Sequence, residues 1–210
     1  MALKPSSKVW MLRHINDTYV QRAQRDGYRS RSAYKLIEIN ERDKLLSPGM
    51  TLIDLGAAPG GWSQVAGACV GPRGKVFAID LLPMVGLPNV DFLQGDFSDL
   101  ALQAQLRPLL PAKGVDLVIC DVAPNMTGIP SADQARGYNL AEEALEFTRT
   151  VIKPDGAFLV KVFQGADFEV YRKELAAVFV KCAVRKPKAS REVSRELYLL
   201  ARGLRPLPAK

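Results

Sequence analysis

The chain has 210 residues and a mass of 23.1 kDa, with 48% apolar and 24% charged side chains, the balance of a single globular domain rather than a disordered or fibrous chain. Its net charge of +7 is uneven: residues 1–44 carry +5, residues 45–180 carry −5 and residues 181–210 carry +7, a layout that suits a polyanionic partner whose phosphates release counterions. No run reaches the roughly 18 apolar residues of a membrane helix, and one histidine (His14) with three scattered cysteines (Cys69, Cys120, Cys182) excludes a histidine triad, a metal cluster and a disulfide framework.

The first residues, MALKPSSKVWMLRH, lack the apolar core of a secretory signal, so a cytoplasmic protein with reduced thiols is expected. Residues 1–31 form a basic N-terminal segment in which Arg22, Arg25, Arg29 and Arg31 are interleaved with Tyr19 and Tyr28. From Ser32 onward, Leu36, Ile37 and Ile39 predict an amphipathic helix that ends before Ser47-Pro48-Gly49. Residues 51–55 predict a strand entering a glycine-rich turn, and residues 60–69 a helix. Strands follow at 75–80 and 90–93, then a helix at 100–110 before Pro111, then a strand at 115–120. Residues 135–152 predict a long helix stopped by Lys153-Pro154-Asp155-Gly156. A fifth strand at 156–162 and a helix at 167–179 precede two last strands, at 182–184 and 196–200, joined by the polar turn 187–195.

Strands that are nearly continuous apolar runs and alternate with helices predict a parallel sheet covered on both faces. The last two strands have no helix between them and should pair as a hairpin. The expected architecture is α/β and doubly wound, Rossmann-like, over residues 32–205. Its sheet has seven mostly parallel strands and an antiparallel C-terminal hairpin, with helices on both faces.

Ligands of such folds bind at the carboxyl ends of the strands. Asp54, Asp80, Asp96 and Asp121 all lie at or just beyond such ends. The turn Asp54-Leu-Gly-Ala-Ala-Pro-Gly-Gly61-Trp62 lets backbone approach a ligand. Asp80, about 20 residues beyond Gly60, suits ribose hydroxyls. The dinucleotide fingerprint fails, because Ala57 and Ala58 follow Gly56 and Pro59 lacks the N–H that a pyrophosphate needs. A nucleoside ligand without phosphates fits better, and S-adenosyl-L-methionine is the common one. Asp96 would take the adenine amine, with Phe97 beside the ring, and Trp62 would line the pocket. Strand four ends Cys120-Asp121-Val-Ala-Pro124-Asn125, which lacks the Pro-Pro-aromatic run of base-amine methylases. Lys161 interrupts the apolar run Phe158-Leu-Val-Lys-Val-Phe163, and a buried ammonium needs a partner or a cleft.

Lys35, Asp121, Lys161 and Glu196 occur in the order of the Lys–Asp–Lys–Glu tetrad of ribose 2′-O-methyltransferases. Together with SRSAYKLIEI, DLGAAPGGWSQ, DLLPM, VDFLQGDF, APNMTG, VKVFQG, VRKPKASR and SRELY, they make the chain resemble the FtsJ-type uridine ribose methyltransferases of large-subunit ribosomal RNA, from about Trp10 to Gly203. The resemblance implies a class I S-adenosylmethionine-dependent methyltransferase fold. It implies that Gly60, Trp62, Asp80, Asp96 and Asp121 bind the cofactor, which leaves as S-adenosyl-L-homocysteine. Lys161 would handle the 2′-hydroxyl proton as neutral base or charged stabiliser, with Lys35 and Glu196 orienting it and Tyr198 assisting. Arg29, Arg31, Lys186, Lys188, Arg191, Arg195 and Tyr198 are the expected RNA contacts, and no metal is required. A cytoplasmic monomer acting on ribosomal RNA or the assembling large subunit is the expected state. The alternatives are an enzyme for another RNA, such as tRNA, and a silent RNA-binding assembly factor. Silence would leave Lys161 and Asp121 without a purpose.

Overall fold

The computed structural model describes residues 17–124, 127–191 and 194–206; His14, most of the basic N-terminal segment and Asn125 of the strand-four motif lie outside this range. Seven strands form one sheet in the order β3-β2-β1-β4-β5-β7-β6. They are β1 (Thr51–Leu55), β2 (Lys75–Asp80), β3 (Val90–Gln94), β4 (Val115–Cys120), β5 (Ile152–Phe163), β6 (Phe179–Arg185) and β7 (Glu196–Leu204). The first five pair in parallel, while β7 lies antiparallel between β5 and β6. The last two strands thus form the expected hairpin, whose returning strand is one place in from the edge.

Among the described residues there are six α-helices, α1 (Thr18–Arg25), which packs on α2, and α2 (Ala33–Asp43), α3 (Gly61–Val70), α4 (Leu100–Leu106, extended by a 3-10 turn at Arg107–Leu109), α5 (Pro130–Val151) and α6 (Phe168–Val178), which cover the sheet. The two-residue alternation of strand side chains divides the core. Leu52, Val76, Leu117, Leu159 and Leu200 pack with α2 and α3. Their neighbours Ile53, Phe77, Val118, Phe158 and Leu199 pack with α4, α5 and α6.

Several boundaries differ from expectation. Helix α1 arises in a segment with few apolar residues, because Asp17 caps it by accepting from the Tyr19 N–H at 3.0 Å and Val20 and Ala23 are buried. Helix α5 begins at Pro130, where proline is tolerated at the first helical position. Strand β5 starts at Ile152, so Lys153-Pro154-Asp155-Gly156 forms an irregularity within it rather than a loop before it. Phe179 leaves the helix and opens β6.

Candidate active site

The alternation that sorts the core also sorts the polar residues at the strand ends. Asp54, Asp80, Asp121, Lys161, Glu196 and Tyr198 keep the parity of Leu52, Val76, Leu117, Leu159 and Leu200. They therefore share the face covered by α2 and α3, and α2 supplies Lys35. Because β7 is reversed, its first residue, Glu196, lies beside the end of β5, with Glu196 opposite Phe163 and Tyr198 opposite Lys161.

These groups form one connected cluster. The Lys161 ammonium donates to the Asp121 carbonyl at 2.6 Å and lies 3.2 Å from the Asp121 carboxylate. The Tyr198 hydroxyl donates to that carboxylate at 2.7 Å. Lys35 pairs with Glu196 at 2.7 Å, and its ammonium lies 5.8 Å from the centre of the Tyr198 ring. Lys35, Lys161 and Glu196 are 8–9% exposed, so both cations are largely withdrawn from water yet paired. An ammonium has three donors, and the two Asp121 contacts leave Lys161 a direction for a third partner. Burial would raise the Asp121 pKa, but the Lys161 and Lys35 charges and the Tyr198 hydroxyl outweigh it and hold the carboxyl below its ordinary value.

A cavity of about 670 Å³ opens beside this cluster, within the range of small-molecule sites. Gly56, Ala58, Asp80 and Asp121 line it from the strand ends. Gly56 is required there, because a Cβ would sit 2.9 Å from Val122 Cβ and the residue has φ +72°. The two carboxylate oxygens of Asp80 accept from the Ala58 and Leu82 N–H groups, each at 2.8 Å, and each keeps a lone pair for a ligand hydroxyl. Below the turn, Asp54 accepts from the Ser63 hydroxyl at 2.6 Å on one oxygen, while the other has no partner among the described residues. Burial, with the nearby Asp121 and Asp80 charges and against the Ser63 bond, raises its pKa to about 7.

Arg136, Asn139 and Glu143 of α5 line the same cavity, and the sequence reading missed them. Their spacing places them on one helix face, so the signal was the polar stripe of that helix. The other expected cofactor residues lie elsewhere. Trp62 is buried, its indole N–H donates to the Ser32 carbonyl at 2.8 Å, and its ring packs 5.6 Å from that of Tyr198. It braces the start of α2 and does not line the cavity. Gly60, with φ +107°, makes room for Arg29 and Met84, which a Cβ would meet at 2.8 and 2.9 Å. Asp96 is exposed at the start of the α4 region and accepts from the Ser98 N–H and hydroxyl, while Phe97 turns into the core against Phe147. The expected place for Phe97 beside a ligand ring is therefore corrected.

The RNA contacts need the largest revision. Arg31 bonds Asp17 and the Ala189 carbonyl, and Arg191 bonds Asp17 at 3.1 Å. Lys186 donates to the Ser194 and Glu196 carbonyls at 2.7 and 2.6 Å. Arg29 donates to the carbonyls of Pro59, Val85 and Gly86. Tyr198 is fully buried behind Asp121. These side chains tie the basic segments to the domain. Lys188 and Arg195 are exposed, with no side-chain partner among the described residues. Among the described residues, no helix is long and apolar enough to cross a membrane, and no group of three or more His, Cys, Asp or Glu could hold a metal.

A family profile described as FtsJ-like methyltransferase matches residues 28–204. The ribosomal RNA large subunit methyltransferase E of Chromobacterium violaceum is 55% identical over 205 residues, covering 98% of this chain and 100% of the relative. Its namesake from Pseudomonas aeruginosa strain PAO1 is 51% identical over 98% of this chain and 99% of the relative. Among solved structures, a ribosomal RNA methyltransferase from Plasmodium falciparum superposes with a TM-score of 0.75 at 28% identity, over 84% of this chain and 98% of that one.

Proposed function

This chain belongs to the FtsJ-like methyltransferase family, and from that premise we propose that it is an S-adenosylmethionine-dependent methyltransferase of large-subunit ribosomal RNA that modifies the ribose 2′-oxygen of a uridine. The observation that carries the reading is the joining of Lys35, Asp121, Lys161 and Glu196 into one buried cluster at the rim of a nucleoside-sized cavity. The relatives carry the name ribosomal RNA large subunit methyltransferase E, which supports the substrate class. All four groups come from one chain, which supports action as a monomer, with residues 32–205 as the catalytic domain and the basic segment 1–31 attached to it. Cytoplasmic ribosomes or their precursors are the place where that substrate occurs.

The residues lining the cavity fit S-adenosylmethionine. The spare lone pairs of Asp80 suit ribose hydroxyls, and the missing N–H at Pro59 suits a ligand without phosphates. Asp121, the member of the tetrad that also lines the cavity, is an anion that suits the cationic methionine part. When bound, the cofactor supplies an activated methyl group on a sulfonium. The remaining work is alignment of the 2′-oxygen and management of one proton. Lys161 sits where it can hold that oxygen and its proton, fixed in direction by the Asp121 carbonyl and carboxylate. Lys35 and Glu196, neutralising each other, hold the neighbouring part of the ribose. Asp121 is in turn fixed by Tyr198.

The test is to supply methyl-labelled S-adenosylmethionine with large-subunit particles, free ribosomal RNA and tRNA in parallel, and to map the labelled nucleotide. Label at a uridine ribose of large-subunit RNA is expected. Label confined to tRNA would make this a methyltransferase of another RNA. Binding to ribosomal RNA without transfer would make it a silent assembly factor.

A further inference from the structure

The cavity has two walls that are not covalently close, the glycine turn of residues 56–60 and the loop of residues 81–86 after β2. Leu81 and Leu82, both cavity-lining, are each 65% exposed, and Val85 is 79% exposed. Apolar packing therefore does little to hold this loop, and its anchors are hydrogen bonds. Its first half is fixed from within the sheet. The Leu82 N–H donates to Asp80 at 2.8 Å, and the Gln94 amide donates to the Leu81 carbonyl at 3.0 Å. Its second half is held by Arg29, whose guanidinium donates to the Val85 carbonyl at 2.6 Å and the Gly86 carbonyl at 2.8 Å. Among the described residues, Arg29 is the only side chain that donates to residues 83–86.

The same guanidinium reaches the opposite wall, donating to the Pro59 carbonyl at 3.3 Å. Its approach depends on Gly60, since a Cβ there would lie 2.8 Å from Arg29 Nη1. Arg29 is itself moored to α3: its backbone N–H donates to the Gln64 side chain at 3.1 Å, and the Gln64 amide donates to the Gly27 carbonyl at 2.8 Å. A planar fork that spans carbonyls on two segments fixes their separation, which a single-point cation does less well. At least two of its five N–H groups are engaged with the loop and a third with the turn, so the side chain is poorly disposed to grip a phosphate.

We propose that Arg29 is a positioning residue of the cofactor site, a clamp that holds the 81–86 loop against the glycine turn so that the cavity is preformed for S-adenosylmethionine. The inference rests on the reading of that cavity given above. It also links the two halves of the site mechanically, because the chain from Arg29 leads directly into α2 and Lys35.

The test uses the full chain, S-adenosylhomocysteine as the calorimetric probe, and hydrogen exchange of the loop amides. Arg29→Ala should weaken S-adenosylhomocysteine binding roughly tenfold, as loss of charge-assisted bonds and of preorganisation predicts. The KM for S-adenosylmethionine should rise in proportion while kcat at saturation stays within about twofold and RNA affinity holds. Exchange at residues 81–86 should quicken. Arg29→Lys should fall between, because one ammonium cannot span both walls, and it carries the test if the alanine variant folds poorly. Unchanged S-adenosylhomocysteine affinity in a folded variant overturns the clamp. So does a loss of RNA affinity alone, which would return Arg29 to the phosphate contacts. If the unmutated chain does not bind S-adenosylhomocysteine, the reading of the cavity itself fails, independently of Arg29.

Discussion

Lys161 interrupts a strand in which Phe158, Leu159, Val160 and Val162 are all buried. A cation in that position is costly unless it is paired. Asp121 provides the pairing twice, through its carbonyl and its carboxylate. The arrangement holds the ammonium against Asp121, at one side of the cavity, rather than against Asp80, where the proposed reading puts the ribose of the cofactor. Lys161→Ala should therefore lower methyl transfer by on the order of 10²–10⁴ while leaving cofactor affinity largely intact. Lys161→Arg should not restore turnover, since guanidinium stays charged and its fork is bulkier. Single-turnover rates beside calorimetry separate the two effects, and near-normal turnover by the alanine variant would remove the tetrad as the explanation. Asp54 makes a different prediction. Its ordinary value is 3.8 and the fold raises it to about 7. The folded chain thus holds the proton more tightly than the unfolded chain. That contribution to stability is complete below pH 4 and is lost as pH rises through 7. Asp54→Asn keeps the Ser63 partner without the charge. Unfolding free energies at pH 6 and 8.5, from denaturant titrations, should differ less for Asp54→Asn than for the parent, by an amount on the order of 1 kcal/mol, since most of the loss occurs between pH 4 and 6. An identical pH slope in the two proteins would contradict the assignment.

At the scale of elements, the reversed strand β7 is what brings Glu196 and Tyr198 to the carboxyl ends of the parallel strands. The loop before it presents Lys188 and Arg195 to solvent, whereas Lys186 is bonded to carbonyls within it. Lys188→Glu with Arg195→Glu should weaken RNA binding and flatten its dependence on salt, with S-adenosylhomocysteine affinity unmoved. An unchanged slope of log affinity against log salt would mean that these residues do not meet phosphates. The strands and most helices were legible because apolar runs and glycine turns mark them locally. Of the four candidate catalytic residues, Lys161 and Asp121 are marked by their surroundings, while Lys35 and Glu196 read as surface charge and were singled out only by the family resemblance. Lys161 stands in an apolar strand, and Asp121 ends one. The basic residues were not legible in the same way. Arg29, Arg31 and Arg191 look like surface charge in sequence, yet their partners (Pro59, Val85, Gly86, Asp17 and Ala189) are far away along the chain. Trp62 was misplaced for the same reason, since its partner Ser32 precedes it by thirty residues. Arg136, Asn139 and Glu143 were overlooked because a polar helix face is the ordinary state of a surface helix.

For the molecule as a whole, the charge division takes on a structural meaning. The net −5 of residues 45–180 includes the acids at the strand ends, while the basic N- and C-terminal segments meet over α2 through Asp17, Arg31, Ala189 and Arg191. Part of the terminal positive charge, that of Arg31 and Arg191, is consumed in that junction. The central claim is that the acceptor is a ribose 2′-oxygen placed against Lys161. The most direct measurement is methyl transfer from labelled S-adenosylmethionine to the mapped target RNA and to the same RNA with 2′-deoxyribose at the target nucleotide alone. The ribose form should be methylated and the deoxy form should take no label, although both bind with similar affinity. Label on the deoxy nucleotide would show that a base atom is the acceptor and would contradict the account.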